Sequence, residues 1–107
     1  MPTASGSFKW TSPNHIDANF PVDNTLKQCS IDLNTSIDYF GETPATLSYD
    51  SADQLSGTKY ISNGRIGQMN FDTTFENNVK IEGSLMSPIM NAMPASGRGT
   101  WTQLTSY

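Results

Sequence analysis

From Cys29 to Tyr39 the chain alternates. Cys29, Ile31, Leu33, Thr35, Ile37 and Tyr39 are apolar or small, and Ser30, Asp32, Asn34, Ser36 and Asp38 between them are polar. A two-residue period sends successive side chains to opposite faces of an extended chain, so the pattern predicts a β-strand with one dry and one wet side. Such a strand would be about 36 Å long, beyond the usual length, and ribbons of that length bend around a barrel or carry a bulge. It is expected to end near Phe40-Gly41.

The same period recurs in shorter stretches. Phe8 and Trp10 mark a first strand after a Gly6 hinge, and Ala45, Leu47 and Tyr49 mark another after Pro44. Tyr60-Ile61 reads as a strand that stops at Asn63-Gly64, a dipeptide suited to a tight hairpin. Ile66, Met69, Phe71, Thr73 and Phe75 lead to a turn at Glu76-Asn77-Asn78, and Val79, Ile81, Gly83 and Leu85 resume the alternation. A last strand runs through Trp101 to Leu104. Ser12 to Asn24, with Pro13, Pro21 and several Asn and Asp, reads as a loop pinned by Ile16 and Phe20. Met86 to Met93 has apolar residues at helical spacing but holds Pro88, so one helical turn and a bulged strand both fit.

No stretch predicts a long helix. Strands separated by polar turns predict a single all-β domain over residues 1–107, a small antiparallel β-barrel of about seven to eight strands, with a two-sheet sandwich as the alternative. The barrel is preferred because successive hairpins make sequence neighbours spatial neighbours.

Composition narrows the function classes. Six basic against ten acidic residues give a net charge of -4, and the basic residues are scattered, which disfavours a nucleic-acid partner. Cys29 is the single cysteine, so no internal disulfide and no cysteine-built metal site is possible, and its phase makes it a core residue. No metal and no cofactor is expected. No run is long enough for a membrane span, and Met1 to Gly6 lacks the features of a secretory signal. A cytoplasmic address is the expectation, although a secreted mature chain with an added methionine would read identically.

Candidate chemistry is sparse. There is no Ser/His/Asp order, no P-loop and no dinucleotide fingerprint. His15 is the lone histidine; with Asp17 nearby it would be a general base if its loop folded over a barrel mouth, and otherwise a solvated loop residue. Asp32, Asp38, Asp72 and Glu82 fall on the polar phase and are expected to face outward as solubility charges that also discourage edge pairing. The aromatic and methionine residues on the dry phase either fill the core or line a cavity. The residues predicted to contact a ligand are Trp10, Tyr39, Tyr49, Phe71, Met90 and Trp101.

Three segments carry a family resemblance. Thr3-Ala4-Ser5-Gly6-Ser7-Phe8, then Gly64-Arg65-Ile66-Gly67-Gln68-Met69 followed by Thr74-Phe75-Glu76, then Pro94-Ala95-Ser96-Gly97-Arg98-Gly99 resemble the opening strand, the Gly-Arg-x-Gly strand with its hairpin, and the final turn of an uncharacterised bacterial family with an allene-oxide-cyclase-like barrel. They amount to about a fifth of the chain. Thr74 and Ala95 stand where that family has glycine, and its Gly-rich tail has no counterpart after Tyr107. The resemblance implies a small eight-stranded barrel, commonly oligomeric, with no agreed activity, and it transfers no catalytic residue; the related cyclases shape hydrophobic unsaturated substrates in a cavity, which is the ground for expecting a cyclase- or isomerase-like role. Met69-Asn70-Phe71-Asp72 with Val79 to Leu85 is similar to the outer barrel of bacterial surface lipoproteins such as transferrin-binding proteins.

The functional expectation is therefore a barrel that binds a small apolar molecule. Two other classes stand beside it: a carbohydrate-binding module, which would present Trp10 or Trp101 to solvent, and an interaction or assembly protein with Met86 to Met93 as its contact patch; a homo-oligomer is expected.

Overall fold

The computed structural model describes residues 2–22, 25–86, 89–90 and 92–104. In chain order the strands are β1 (Thr3–Ser12), β2 (His15–Val22), β3 (Thr25–Leu33), β4 (Glu42–Ser48), β5 (Gly57–Ile66), β6 (Asn70–Phe75), β7 (Lys80–Ser84), β8 (Met93–Pro94) and β9 (Gly97–Leu104), with one 3₁₀ turn at Ala52–Gln54. Eight of them close an antiparallel barrel in the order β1-β2-β3-β9-β5-β6-β7-β4 and back to β1. Closure gives each of these eight strands a neighbour on both sides. The short β8 adds to β5 at Arg65 and Ile66, carrying on the ladder that β9 makes with Gly57 to Tyr60.

The predicted alternation holds through most of the wall. Phe8, Ile31, Leu33, Ala45, Leu47, Phe71, Phe75, Val79, Ile81 and Trp101 are all buried. Inside, Phe8 stacks on Phe71 at 4.1 Å between ring centroids and lies 5.7 Å from Phe40, while Phe75 meets Trp101 edge-on at 6.2 Å. Removing one such buried ring typically costs about 3–5 kcal/mol, so this aromatic stack is a main source of stability.

Three local expectations are corrected. Ser12 to Asn24 is mostly strand, since Ile16, Ala18, Phe20 and Val22 face inward while His15, Asp17, Asn19 and Pro21 face out. Pro21 is tolerated because the β1–β2 ladder ends at Ser7–Asn19, so no β1 carbonyl waits for its missing N–H. The long strand starts earlier and stops sooner than predicted. Lys27 takes an inward position at its beginning, its Nζ donating to Gln103 Oε1. After Leu33 the chain leaves the wall, and residues 34–41 fold across one end of the barrel. Ile37 N donates to Pro13 O and Trp10 Nε1 donates to Ile37 O, both closing that end, where Ile37 and Phe40 are buried.

Asn63-Gly64 is not a hairpin. β5 runs straight through it, and the turn comes at 67–69, where Gly67 N donates to Asn70 O. Ser62 is instead a bulge: the β5–β6 register shifts between Ile61 and Asn63. Gly64 serves a close approach, because a Cβ there would lie 2.7 Å from Ala95 O. The expectation for Met86 to Met93 falls partly on residues 87, 88 and 91, outside those described; Met93 begins β8.

The opposite end is closed by the segment after β4. Gln54 Nε2 donates to Asn77 O and Asn77 Nδ2 to Gln54 O, tying the 3₁₀ turn to the predicted 76–78 turn, with Leu55 buried beneath.

Candidate functional site

The six residues predicted to contact a ligand do not meet in one place. Phe71, Tyr49 and Trp101 are buried, and Trp101 is only 4% exposed. Trp10 is half-buried and meets Tyr39 edge-on at 5.0 Å, the one pair of the six in ring-to-ring contact. Tyr39 and Met90 stand out from the surface, 68% and 83% exposed. Neither indole forms the exposed platform anticipated for sugar binding: Trp101 is in the core, and Trp10 gives its N–H to the closing segment. Among the described residues the Trp101 indole N–H is buried without an acceptor.

The concavities on the described surface are open. A groove of about 390 Å³ runs between Ser5, Pro44, Thr46, Ser84 and Met86, and carries only neutral side chains. A smaller cleft of about 250 Å³ is lined by Asp32, Leu33, Asn34, Tyr60, Gly97 and Arg98. The smaller one holds the chemistry: a cation, a carboxylate, a carboxamide and an aromatic ring.

Local backbone features create that cleft. Gly97 has φ of +145°, and a Cβ there would lie 2.0 Å from Asp32 O, so β9 approaches β3 closely only because the side chain is missing. Next to it, the Ser62 bulge in β5 breaks the regular ladder two residues beyond Tyr60, and bulges re-aim neighbouring side chains. Tyr60 is pinned through its main chain, with N donating to Glu76 Oε2 at 3.3 Å and O accepting from Glu76 N at 2.9 Å. Asn34 N donates to Ser96 O at 2.9 Å and fixes the upper rim. The ring of Tyr60 remains 61% exposed.

Beside the cleft lies His15. In register, His15 faces Asp32, Asp32 faces Arg98, and Arg98 faces Tyr60, so one row crosses β2, β3, β9 and β5. His15 Nδ1 is 2.8 Å from Asp32 Oδ1 and Nε2 is 2.9 Å from Asp17 Oδ1, to which Ser30 Oγ also donates at 3.4 Å. Partial burial lowers the His15 pKa, but the hydrogen bonds and charges of Asp32 and Asp17 outweigh it and hold the imidazole above its ordinary value. Only the imidazolium donates to both carboxylates. With both ring nitrogens engaged, His15 has no nitrogen free to act as a base, and it stands on the outer wall, not over a mouth as the general-base reading required.

Other chemistry is muted. Burial, reinforced by the charge of Asp17, pushes the Cys29 thiol up, so it stays a protonated core residue. Among the described residues no group of three His, Cys, Asp or Glu side chains is arranged to hold a metal, and no helix is long and apolar enough to cross a membrane. Asp32, Asp38 and Asp72 are exposed and Glu82 is half-buried on the outer wall, as their phase predicted.

Tyr60 and Arg98 were not singled out as ligand residues from the sequence. The available signal was phase: Tyr60 is an aromatic residue adjoining the inward Ile61, on the polar side. Comparison with family models, curated proteins and solved structures returned no match to this chain.

Proposed function

We propose that this barrel is a non-catalytic recognition domain whose outer cleft binds a hydroxyl-rich ligand of the carbohydrate class. The observation that carries the reading is the exposed Tyr60 ring set beside the planar polar groups of Arg98, Asp32 and Asn34. A sugar offers an apolar C–H face, which packs on an aromatic ring, and vicinal hydroxyls, which suit carboxylate, amide and guanidinium groups. The cleft is below the usual range of ligand sites, about 300–1,000 Å³, and suits one sugar unit of a longer chain. The rigid barrel holds these groups on strands, which limits the ordering cost of binding.

A panel of glucose-, galactose- and N-acetylglucosamine-containing oligosaccharides, titrated by calorimetry, tests this. Binding by at least one, weakened about tenfold or more in Tyr60→Ala, is the expected result. Affinity unchanged in both Tyr60→Ala and Arg98→Ala overturns it. The apolar-ligand reading predicts a different outcome: thermal stabilisation by an apolar molecule, unaffected by Tyr60→Ala. An internal ligand would have to displace rings now stacked on one another.

One observation favours assembly as a second reading. Met69, Met86 and Met90 are all exposed at the same end of the barrel, where Leu85 N donates to Met69 O and Gln68 Nε2 to Met90 O. Methionine surfaces are adaptable contacts, and a second copy of the chain is the occupant implied. Gel filtration at micromolar concentration, with Met90→Asp as the disrupting variant, tests it.

A further inference from the structure

The row beside the cleft puts Asp32 between two cations. Directly across from it stand His15 on β2 and Arg98 on β9. Opposed side chains of neighbouring strands lie with Cβ atoms about 4.5–5.5 Å apart, so either partner is within reach of one carboxylate. In the structure Asp32 is on His15, and Arg98 makes no ion pair among the described residues. Resting on the recognition reading above, we propose that Asp32 is a two-position latch for the cleft. It is held by His15 while the imidazole carries its second proton, which leaves the Arg98 guanidinium for ligand. It swings to Arg98 when that proton leaves, and the cleft loses its cation.

The handover follows from donor counting. A neutral imidazole has one N–H and cannot serve two carboxylates. Asp17 is 27% exposed against 54% for Asp32, so the less solvated carboxylate is the costlier one to abandon and keeps the remaining N–H. Nδ1 then turns a lone pair on Asp32, which is repelled toward the cation opposite. The other groups facing this set are Ser12 of β1 opposite His15, Lys9 of β1 opposite Asp17, and Ser30 of β3 beside Asp17. Lys9 makes no ion pair with Asp17 among the described residues, so it does not relieve Asp17 of its need for the His15 N–H. By linkage, ligand on Arg98 and the proton on His15 favour each other.

The test starts without ligand. Arg65 and Arg98 are the two arginines, so the Nε–Hε resonances give one probe and one internal reference. From about pH 5 to about pH 9 the Arg98 resonance is expected to move along the His15 titration in the wild type. It should stay flat in His15→Gln and in Asp32→Asn, with Arg65 unmoved throughout. An Arg98 signal that ignores the His15 titration in the wild type, or still moves in His15→Gln, overturns the latch. Sugar affinity, measured with the oligosaccharide panel above, should fall about fivefold or more as pH rises through the same titration. If the resonance moves and no sugar binds, the latch stands and the recognition reading fails. If sugar binds with pH-independent affinity while Arg98 does not move, recognition stands and the latch fails.

Discussion

Two rows of outward side chains cross opposite walls of this barrel, and they differ in kind. The first runs His15, Asp32, Arg98, Tyr60 across β2, β3, β9 and β5. The second runs Ser5, Thr46, Glu82, Asp72, Arg65 across β1, β4, β7, β6 and β5. In the first, charges alternate in sign and end at an exposed aromatic ring. In the second, two carboxylates face each other and no ring is present; Lys80 answers Glu82 at 3.2 Å. The larger groove, about 390 Å³, borders the second row, and the 250 Å³ cleft lies on the first. Concavity alone therefore does not mark the site. Glycines line both concavities, Gly97 in the cleft and Gly6 and Gly83 in the groove, so what distinguishes the first wall is the chemically varied set of groups that stands in line there.

The largest expected effect breaks the scaffold that both rows share. Phe8→Ala should lower stability by about 3–5 kcal/mol in chemical denaturation, because the ring stacks on Phe71 and Phe40. A loss under 1 kcal/mol would mean that the interior repacks freely.

Next comes the contrast itself. Tyr60→Ala and Arg98→Ala should each abolish most sugar binding while changing stability by no more than about 0.5 kcal/mol, as for ordinary surface positions. Thr46→Ala, on the other wall, should leave binding intact. Equal losses from both walls would erase the distinction.

The His15 set adds a pH dependence confined to the first wall. The folded pKa is raised, so the stabilisation is fully present below the unfolded value near 6.5 and is lost as pH rises through the folded value. Stability measured across that window should decline in the wild type and flatten in His15→Gln. A wild-type profile that rises with pH there would contradict the double carboxylate contact.

The smallest effect belongs to the second wall. Asp72 faces Glu82 and makes no ion pair with Arg65 among the described residues. Asp72→Asn should therefore gain about 0.2–0.5 kcal/mol by relieving like-charge opposition, readable as a small rise in denaturation midpoint.

The barrel was legible because alternation is a local property of the chain: Ala45-Leu47-Tyr49, Phe71-Thr73-Phe75 and Val79-Ile81 carry it without help from elsewhere. It misled where tertiary structure overrode a local cue. Lys27 sits at an inward position and so concealed the start of β3. Pro21 and the Asn and Asp residues around it hid β2, although Ile16, Ala18, Phe20 and Val22 kept the period. Asn63-Gly64 looked like a turn, but its glycine answers a neighbouring backbone. Ile37 is buried as its inward phase predicts, yet Tyr39 of the same phase is 68% exposed and Phe40 of the opposite phase is buried, because all three belong to the closing segment and not to a wall. The site was scarcely legible for a different reason. His15, Asp32, Arg98 and Tyr60 are far apart in sequence, and only the register of four strands aligns them. Ile61 told which way Tyr60 points; nothing local told what stands beside it.

The central claim is that recognition happens on the outer wall at Tyr60 and Arg98. Amide chemical-shift mapping during titration with an oligosaccharide that binds tests it most directly. The account predicts shifts centred on Asp32, Asn34, Tyr60, Gly97 and Arg98, with the Ser5 and Thr46 wall silent. Shifts centred on Phe8, Phe71 and Trp101 inside the barrel would contradict it.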